Sequence, residues 1–489
     1  FHCSALLHFP SLSASSSSPS PSRFFKMAIL LHYIVVSLLA TVSYAEISEK
    51  VGVNYGQLGS NLPSPSLSVH LIQKRLNAAQ VKIYDANPDI LRALANTSLP
   101  VSVMIPNELI LNISLSQAFS NRWVKTNILP FSNAVLIRYL LVGNEILTSA
   151  DSGTWLNLVP AMRRVKKSLN KYNLSKIKVG TPSAMEVLET SFPPSSGKFR
   201  SDIAENIVSP MLRFLKNTKS FFFLDVYPYF AWAKYPREIS LRYALLESSN
   251  VTYTDPGSGL VYANLLDQML DAVHFAMKRL GYPELRLFIA ETGWPNGGDV
   301  DQIGANVYNA ATYNRNVVKK LTSTPTLGTP ARPGAAVPAF IFSLFNENDK
   351  PGPGTERHFG IIQPNGVSMY QLDLSGDTAY TDVLPEPSNN VPFQGEVWCV
   401  VAEGVSTGAA LGDALSFACS VGKKTCDAIQ PGMDCYRPDS LLLHASYAFS
   451  SYWSQTKSVG GTCYFGGLAT QTTKNPSFGR CSFPSVQLT

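Results

Sequence analysis

Eight short apolar runs, at 51–55, 81–84, 101–105, 136–142, 177–180, 221–227, 287–290 and 339–345, constrain this chain more than any other feature. They are continuous rather than alternating, the pattern of strands covered on both faces. Helical patterns lie between them, at 155–170 and 265–280 for example, the second stopped by Gly281 and Pro283. Strand and helix alternating in this way predict parallel strands joined by crossover helices, and a closed ring is the economical arrangement. The expected fold class is α/β, a (β/α)8 TIM barrel. An open doubly wound sheet is the alternative, but no glycine-rich phosphate loop follows the first run.

In such a barrel the chemistry sits at the C-terminal ends of the strands. Two runs end there in a carboxylate: Leu140-Leu141-Val142-Gly143-Asn144-Glu145 and Leu287-Phe288-Ile289-Ala290-Glu291-Thr292-Gly293-Trp294-Pro295. A charge at the edge of a buried sheet is costly unless it is hydrogen-bonded or faces a cleft. Either glutamate alone could be a rim carboxylate in an ion pair. The fourth and seventh strands lie well apart around a closed ring, however, so Glu145 and Glu291 can meet from opposite sides of a cleft. Retaining glycoside hydrolysis needs such a pair, one carboxyl kept protonated near the leaving oxygen and one ionised beneath the anomeric carbon. Asn144 is placed to hydrogen-bond a sugar hydroxyl beside the reacting centre. Other chemistries find little support. His70, His274, His358 and His444 are singly placed, and there is neither a His-Glu-x-x-His motif, nor a Cys/His zinc pattern, nor a Gly-x-Ser-x-Gly elbow. No metal and no organic cofactor is expected.

The chain has 489 residues, enough for one large domain and a smaller one, and its 45% hydrophobic content suits a sizeable core. Residues 1–26, dense in Ser and Pro, read as sequence upstream of a start at Met27, as a gene-model extension or as a disordered leader. The apolar stretch 28–39 and the small residues of Ser43-Tyr44-Ala45 predict a cleaved signal peptide at 27–45, with an uncleaved anchor as the alternative. No lipid-anchor signal is read at 482–489. Cys399, Cys419, Cys426, Cys435, Cys463 and Cys481 cluster near the C-terminus, which predicts three disulfides in a secreted chain, although spacing leaves their pairing open. Sequons at Asn96, Asn112, Asn173 and Asn250 fit the same route. A net charge of +6 without a Lys/Arg cluster excludes a nucleic-acid partner; at most it favours loose association with an acidic matrix. The expected organisation is a catalytic barrel at 46–376, a Pro- and Asn-rich exposed linker at 377–395 and a disulfide-dependent module at 396–485.

Several motifs, in order, carry a family resemblance: Gly52-Val53-Asn54-Tyr55-Gly56, Gln80-Val81-Lys82-Ile83-Tyr84-Asp85, Gly143-Asn144-Glu145, Asp225-Val226-Tyr227-Pro228-Tyr229-Phe230, Glu291-Thr292-Gly293-Trp294-Pro295 and Phe345-Asn346-Glu347-Asn348. Over 51–374 the chain resembles plant glycoside hydrolase family 17, the endo-1,3-β-glucanases. The resemblance implies Glu145 as general acid/base, Glu291 as nucleophile, and Glu347 with Lys350 as groups that bind substrate or tune the pair's charge. Tyr55, Tyr227, Tyr229, Phe230, Trp232, Trp294 and Phe345 lie where a glucan chain would run, and sugar rings stack on aromatic faces. Each ring is equally suited to packing; Tyr227 and Trp294, beside the catalytic motifs, are the first choices for subsites.

The C-terminal segment, with Trp398-Cys399-Val400, Ile429-Gln430-Pro431-Gly432 and His444-Ala445-Ser446-Tyr447-Ala448-Phe449, resembles the plant X8 domain, a family 43 carbohydrate-binding module. That resemblance implies the pairs Cys399–Cys463, Cys419–Cys426 and Cys435–Cys481, and a role in holding the enzyme on 1,3-β-glucan. A purely structural appendage is the alternative. The whole implies a monomeric enzyme exported to the cell wall rather than the vacuole, a glucan endo-1,3-β-D-glucosidase. A wall-binding protein without catalysis, or a transglycosylase or mixed-linkage glucanase on the same scaffold, are the rivals.

Overall fold

The computed structural model describes residues 51–149, 152–247 and 250–489; the leader at 1–26 and the signal at 27–45 lie outside them. Nine parallel strands form one sheet: β1 (Val51–Tyr55), β2 (Val81–Ile83), β3 (Val101–Ile105), β4 (Ile137–Val142), β5 (Lys178–Gly180), β6 (Pro182–Ala184), β7 (Phe222–Asp225), β8 (Leu287–Thr292) and β9 (Ala339–Ile341). Their order is β5-β4-β3-β2-β1-β9-β8-β7-β6. β5 and β6 stand at the two ends of that order, yet only Thr181 separates them in the chain. They are halves of a single fifth barrel strand, the first paired with β4 and the second with β7. Continuity through Thr181 closes the ring, which is the (β/α)8 architecture that the alternating pattern predicts.

Side chains alternate across this ring. Val53, Val81, Val103, Leu140, Leu224, Ile289 and Ile341 face outward into a core shared with the surrounding helices, among them α1 (Leu158–Lys171), α2 (Leu265–Arg279) and α3 (Val307–Thr322). α1 buries Leu158, Met162, Val165 and Leu169, one stripe of helical period. α2 starts where the Asn264 side chain accepts the Asp267 N–H at 2.9 Å, and it stops before Gly281 at φ 85°. Inside the ring, Tyr139, Phe223, Phe288 and Phe340 make an aromatic plug, with Phe288 stacked on Phe223 and Phe340 at centroid distances of 5.0 and 5.3 Å. Gly180 makes room for it, since a Cβ there would stand 2.2 Å from the Phe223 ring. Nearer the C-terminal ends of the strands the interior turns polar. Asn54, Lys82, Asp225 and Glu291 are all buried there and form the floor of the site.

The C-terminal module has its own core of Val397, Trp398, Leu411, Phe449 and Trp453. A three-stranded antiparallel sheet with β10 (Gly395–Val401) between β11 (Ala469–Thr472) and β12 (Val486–Leu488) packs through β10 on α5 (Leu441–Thr456), and α4 (Ala409–Ser420) packs on α5. Its disulfides join Cys399 to Cys463, Cys419 to Cys426 and Cys435 to Cys481, the pairing that the resemblance implies. β12 carries the module past 485, to Leu488.

The linker is exposed along most of its length, as its composition suggests, but it is also pinned to the barrel. Tyr380 and Leu384 pack on the barrel core, and Asp382 takes two hydrogen bonds from Arg315, at 2.6 and 2.7 Å. Asn389 and Asn390 accept hydrogen bonds from Gly304, Asn306 and Asn309. Asn and Asp signal loops because they bond to nearby backbone, and here the same polar groups bond to the barrel instead.

Candidate active site

Glu145 follows β4 after a sharp turn. Gly143 has φ 70°, and a Cβ there would stand 2.7 Å from Ile146. Glu145 itself sits at φ 51°, a left-handed conformation that costs a non-glycine residue on the order of 1–2 kcal/mol. Neighbouring strands hold it there. The Asn144 N–H donates to Asn107 Oδ1 at 2.7 Å, and the Glu145 N–H donates to the Pro182 carbonyl at 3.2 Å. Burial, then the charges of Glu291 and Glu186, push the Glu145 carboxyl up to about 7.

Glu291 reaches the barrel mouth through an irregularity in β8, whose pairing slips between Ile289 and Glu291 against β7 and between Ile289 and Thr292 against β9. Such a bulge breaks strict alternation and re-aims a side chain. Glu291 Oε1 accepts from Lys82 Nζ at 2.7 Å and from Tyr84 Oη at 2.6 Å, and Oε2 accepts from Tyr227 Oη at 2.7 Å. Burial alone would raise its pKa, but the Lys82 charge and these bonds overcome that and hold it below the ordinary range. Burial and the Glu291 charge raise both phenols well above theirs, so each stays a hydroxyl that donates. The cleft thus holds two carboxyl groups that carry opposite protonation states as pH falls below about 7, the arrangement that acid-assisted displacement at an anomeric carbon requires.

A third carboxyl lies between them. Asp225 pairs in register with Glu291, is 2% exposed and has no protein partner at either oxygen. Burial, then the Glu291 charge, raises its pKa well above the carboxylate range, which favours the neutral acid. Asn144 Oδ1 is also buried without a protein partner. Both residues line the cleft, and such orphaned atoms call for a partner that the chain itself does not supply. Glu347 accepts the Leu58 N–H at 2.7 Å across Gly56, where a Cβ would stand 2.3 Å from its carboxylate. Lys350 pairs with Glu356 at 2.8 Å, and against the effect of burial that charge holds its pKa above the ordinary value.

The cleft has a volume of about 1620 Å³. It runs from Leu58, Lys350 and Glu356 on the β1/β9 side to Phe192, Tyr235 and Tyr253 across the ring. This exceeds the roughly 300–1,000 Å³ of small-ligand pockets and suits a polymer.

The pattern of the glycosyl hydrolases family 17 matches residues 51–374, and that of the X8 domain matches 397–470. The chain belongs to glycosyl hydrolase family 17. It is a glycoside hydrolase, similar along nearly its whole length to curated plant proteins. One is the probable glucan endo-1,3-beta-glucosidase A6 of Arabidopsis thaliana, 51% identical over 91% of this chain and 92% of that one. Another is the glucan endo-1,3-beta-D-glucosidase of Olea europaea, 35% identical over 93% and 97%. Among solved structures, the β-1,3-glucanase and pollen allergen CJP38 of Cryptomeria japonica matches at 40% identity and TM-score 0.63, covering 67% of this chain and 99% of its own.

Within this family scaffold the expected subsite aromatics divide. Tyr227 and Phe230 line the cleft with Asn144, Glu347 and Lys350, and Phe230 is 45% exposed. Tyr55, Tyr229, Trp232, Trp294 and Phe345 do not: they are buried in the core behind the rim. Trp294 packs against Tyr229, Trp232 and Tyr313, and its Nε1–H donates to the Gly304 carbonyl at 2.8 Å. It is a structural residue, fully buried, with its ring against Tyr313 of α3. Lys82, Tyr84 and Asp225 were not singled out as site residues by motif position. A lysine between Val81 and Ile83, in a buried run, is the signal that would have found the first. Phe192, Tyr235 and Tyr253 lie outside the barrel strands, Tyr253 in a two-residue antiparallel pairing with Val261–Tyr262, and none has a strand-end signature. All four sequon asparagines are exposed.

Proposed function

We propose that this family 17 enzyme cleaves internal 1,3-β-glucosidic bonds of a glucan by a retaining double displacement. Glu291 attacks the anomeric carbon while Glu145 gives its proton to the leaving oxygen; the glucosyl ester is then hydrolysed by water that Glu145 deprotonates. The observation that carries this reading is the opposed protonation of the two groups, one pushed up to about 7 and one held ionised by Lys82, Tyr84 and Tyr227. Lys82 and Tyr227 also stabilise the Glu291 carboxylate as it is regenerated when water cleaves the ester. Glu347 and Lys350 bind sugar hydroxyls along the cleft, and Phe230 offers a ring for stacking. An open cleft of this size accepts a chain in its middle, which favours the endo mode. Both carboxylates belong to one chain, so a monomer suffices. The three disulfides fit export, as do exposed sequons.

Product analysis tests the reading. With laminarin the first products should be a range of oligosaccharides that keep the β configuration, with little release from a mixed-linkage glucan. Inverted products would overturn the catalytic assignment, and elongated products would favour transglycosylation. Export is tested by N-terminal sequencing of the extracellular protein, expected to begin near Glu46.

A further inference from the structure

The C-terminal module is joined to the barrel at the loops that build one wall of the cleft. Val300, in the loop after β8, packs against the module core, and its N–H donates to Gln471 Oε1 at 3.0 Å. Asp301 in the same loop pairs with Lys457 of the module. Tyr464, next to the disulfide-bonded Cys463, reaches the loop after β9: its Oη donates to the Asn348 carbonyl at 2.8 Å, and the Arg357 guanidinium lies 3.8 Å from its ring centroid. Arg357 in turn donates to the carbonyls of Lys350 and Gly352, at 3.2 and 3.0 Å. Lys350 and Glu356, between these anchors, point into the cleft. The two loops are also tied to each other, through the Gly354 N–H to Asp299 at 2.8 Å.

A module that served only as a tether would need none of these contacts, since a flexible linker suffices to raise local concentration. We propose that Tyr464 is a positioning residue, through which the docked module holds the loop at 348–357 in the shape that binds a glucan chain, so that the module forms part of the cleft wall. The inference rests on the glucanase reading for its substrate but not for its geometry.

Three full-length proteins test it: wild type, Tyr464→Ala and Tyr464→Phe. In Tyr464→Ala, hydrogen exchange should quicken at the amides of Asp349, Lys350 and Glu356, which bond within or beside the loop. KM for soluble laminarihexaose should rise by roughly three- to tenfold, the range of one lost hydrogen bond or cation–π contact, with kcat within about twofold. Tyr464→Phe keeps the ring under Arg357 and should recover most of both effects. Unchanged exchange and unchanged KM in Tyr464→Ala would overturn the proposal, as would a changed exchange with an unchanged KM, or a loss confined to insoluble glucan. If the wild type cleaved no 1,3-β-glucan, the substrate reading would fail by itself, while the exchange data would still decide whether Tyr464 orders the loop.

Discussion

Lys82, wholly buried inside the barrel, places its ammonium 2.7 Å from Glu291 Oε1, the strongest of the contacts that keep the proposed nucleophile ionised. A buried lysine is tolerated because its partner is a carboxylate and because the Ala290 carbonyl takes a further hydrogen bond at 3.3 Å. Replacing it with methionine keeps the volume and removes the charge. Glu291 should then ionise at higher pH, the acidic limb of kcat/KM should move upward, and activity at its optimum should drop by about 100-fold, the order lost with one preorganised electrostatic contact. A pH–rate profile of Lys82→Met checks this, and an unmoved acidic limb would contradict it.

The alkaline limb belongs to Glu145. As general acid it works only while protonated, so kcat/KM should decline as pH rises through about 7. After burial, the Glu291 charge is the main cause of that raised value, so Glu291→Gln should bring the Glu145 titration down. Carboxyl NMR titration of the labelled protein would show it; a Glu145 midpoint that did not fall would sink the pairing.

The same raised pKa bears on stability. The folded protein keeps the Glu145 proton to about 7, whereas an unfolded glutamate releases it near the ordinary value, so the stability tied to this proton is present at low pH and lost as pH rises across that window. Glu145→Gln cannot ionise and should be more stable than wild type at pH 8, by about 1–3 kcal/mol, with the difference vanishing near pH 4. Thermal melts at the two pH values measure it.

Asp225 offers a sharper test of protonation. If it is a neutral acid beside Glu291, Asp225→Asn should keep kcat/KM at pH 5 within about threefold, because the amide replaces one neutral group by another of the same shape. Asp225→Ala should lose far more, since the cleft would lack the polar group altogether. A large loss in Asp225→Asn would mean that its charge is used.

Much of this was legible in the chain. Apolar runs and rim carboxylates gave the barrel and both catalytic candidates, because burial on two faces and the cost of an edge charge leave marks on local composition. The halved fifth strand was not legible, since Pro182-Ser183-Ala184 has no strand signature and is held by pairing with β7. Nor was the fate of the aromatics: Trp294 and Phe230 look alike beside their motifs, and only the direction of each loop separates a core ring from an exposed one. Trp294→Ala should therefore cost about 3–5 kcal/mol of stability and leave KM unchanged, whereas Phe230→Ala should raise KM and leave the melting temperature alone.

Reduction divides the molecule by its cysteines. Between 46 and 395 there are none, while the module has three disulfides, two of them closing loops with separations of 64 and 46 residues. Each long loop is worth roughly 4 kcal/mol on chain-entropy grounds, more than so small a core can replace, so reductant should unfold the module and spare the barrel. Calorimetry in dithiothreitol should show the barrel transition alone. Activity on soluble laminarin should persist with the raised KM expected of Tyr464→Ala, because the loop at 348–357 loses the same anchor. Loss of kcat on the soluble substrate would instead mean that the barrel cannot fold without the module strapped to it by Asn389 and Asn390.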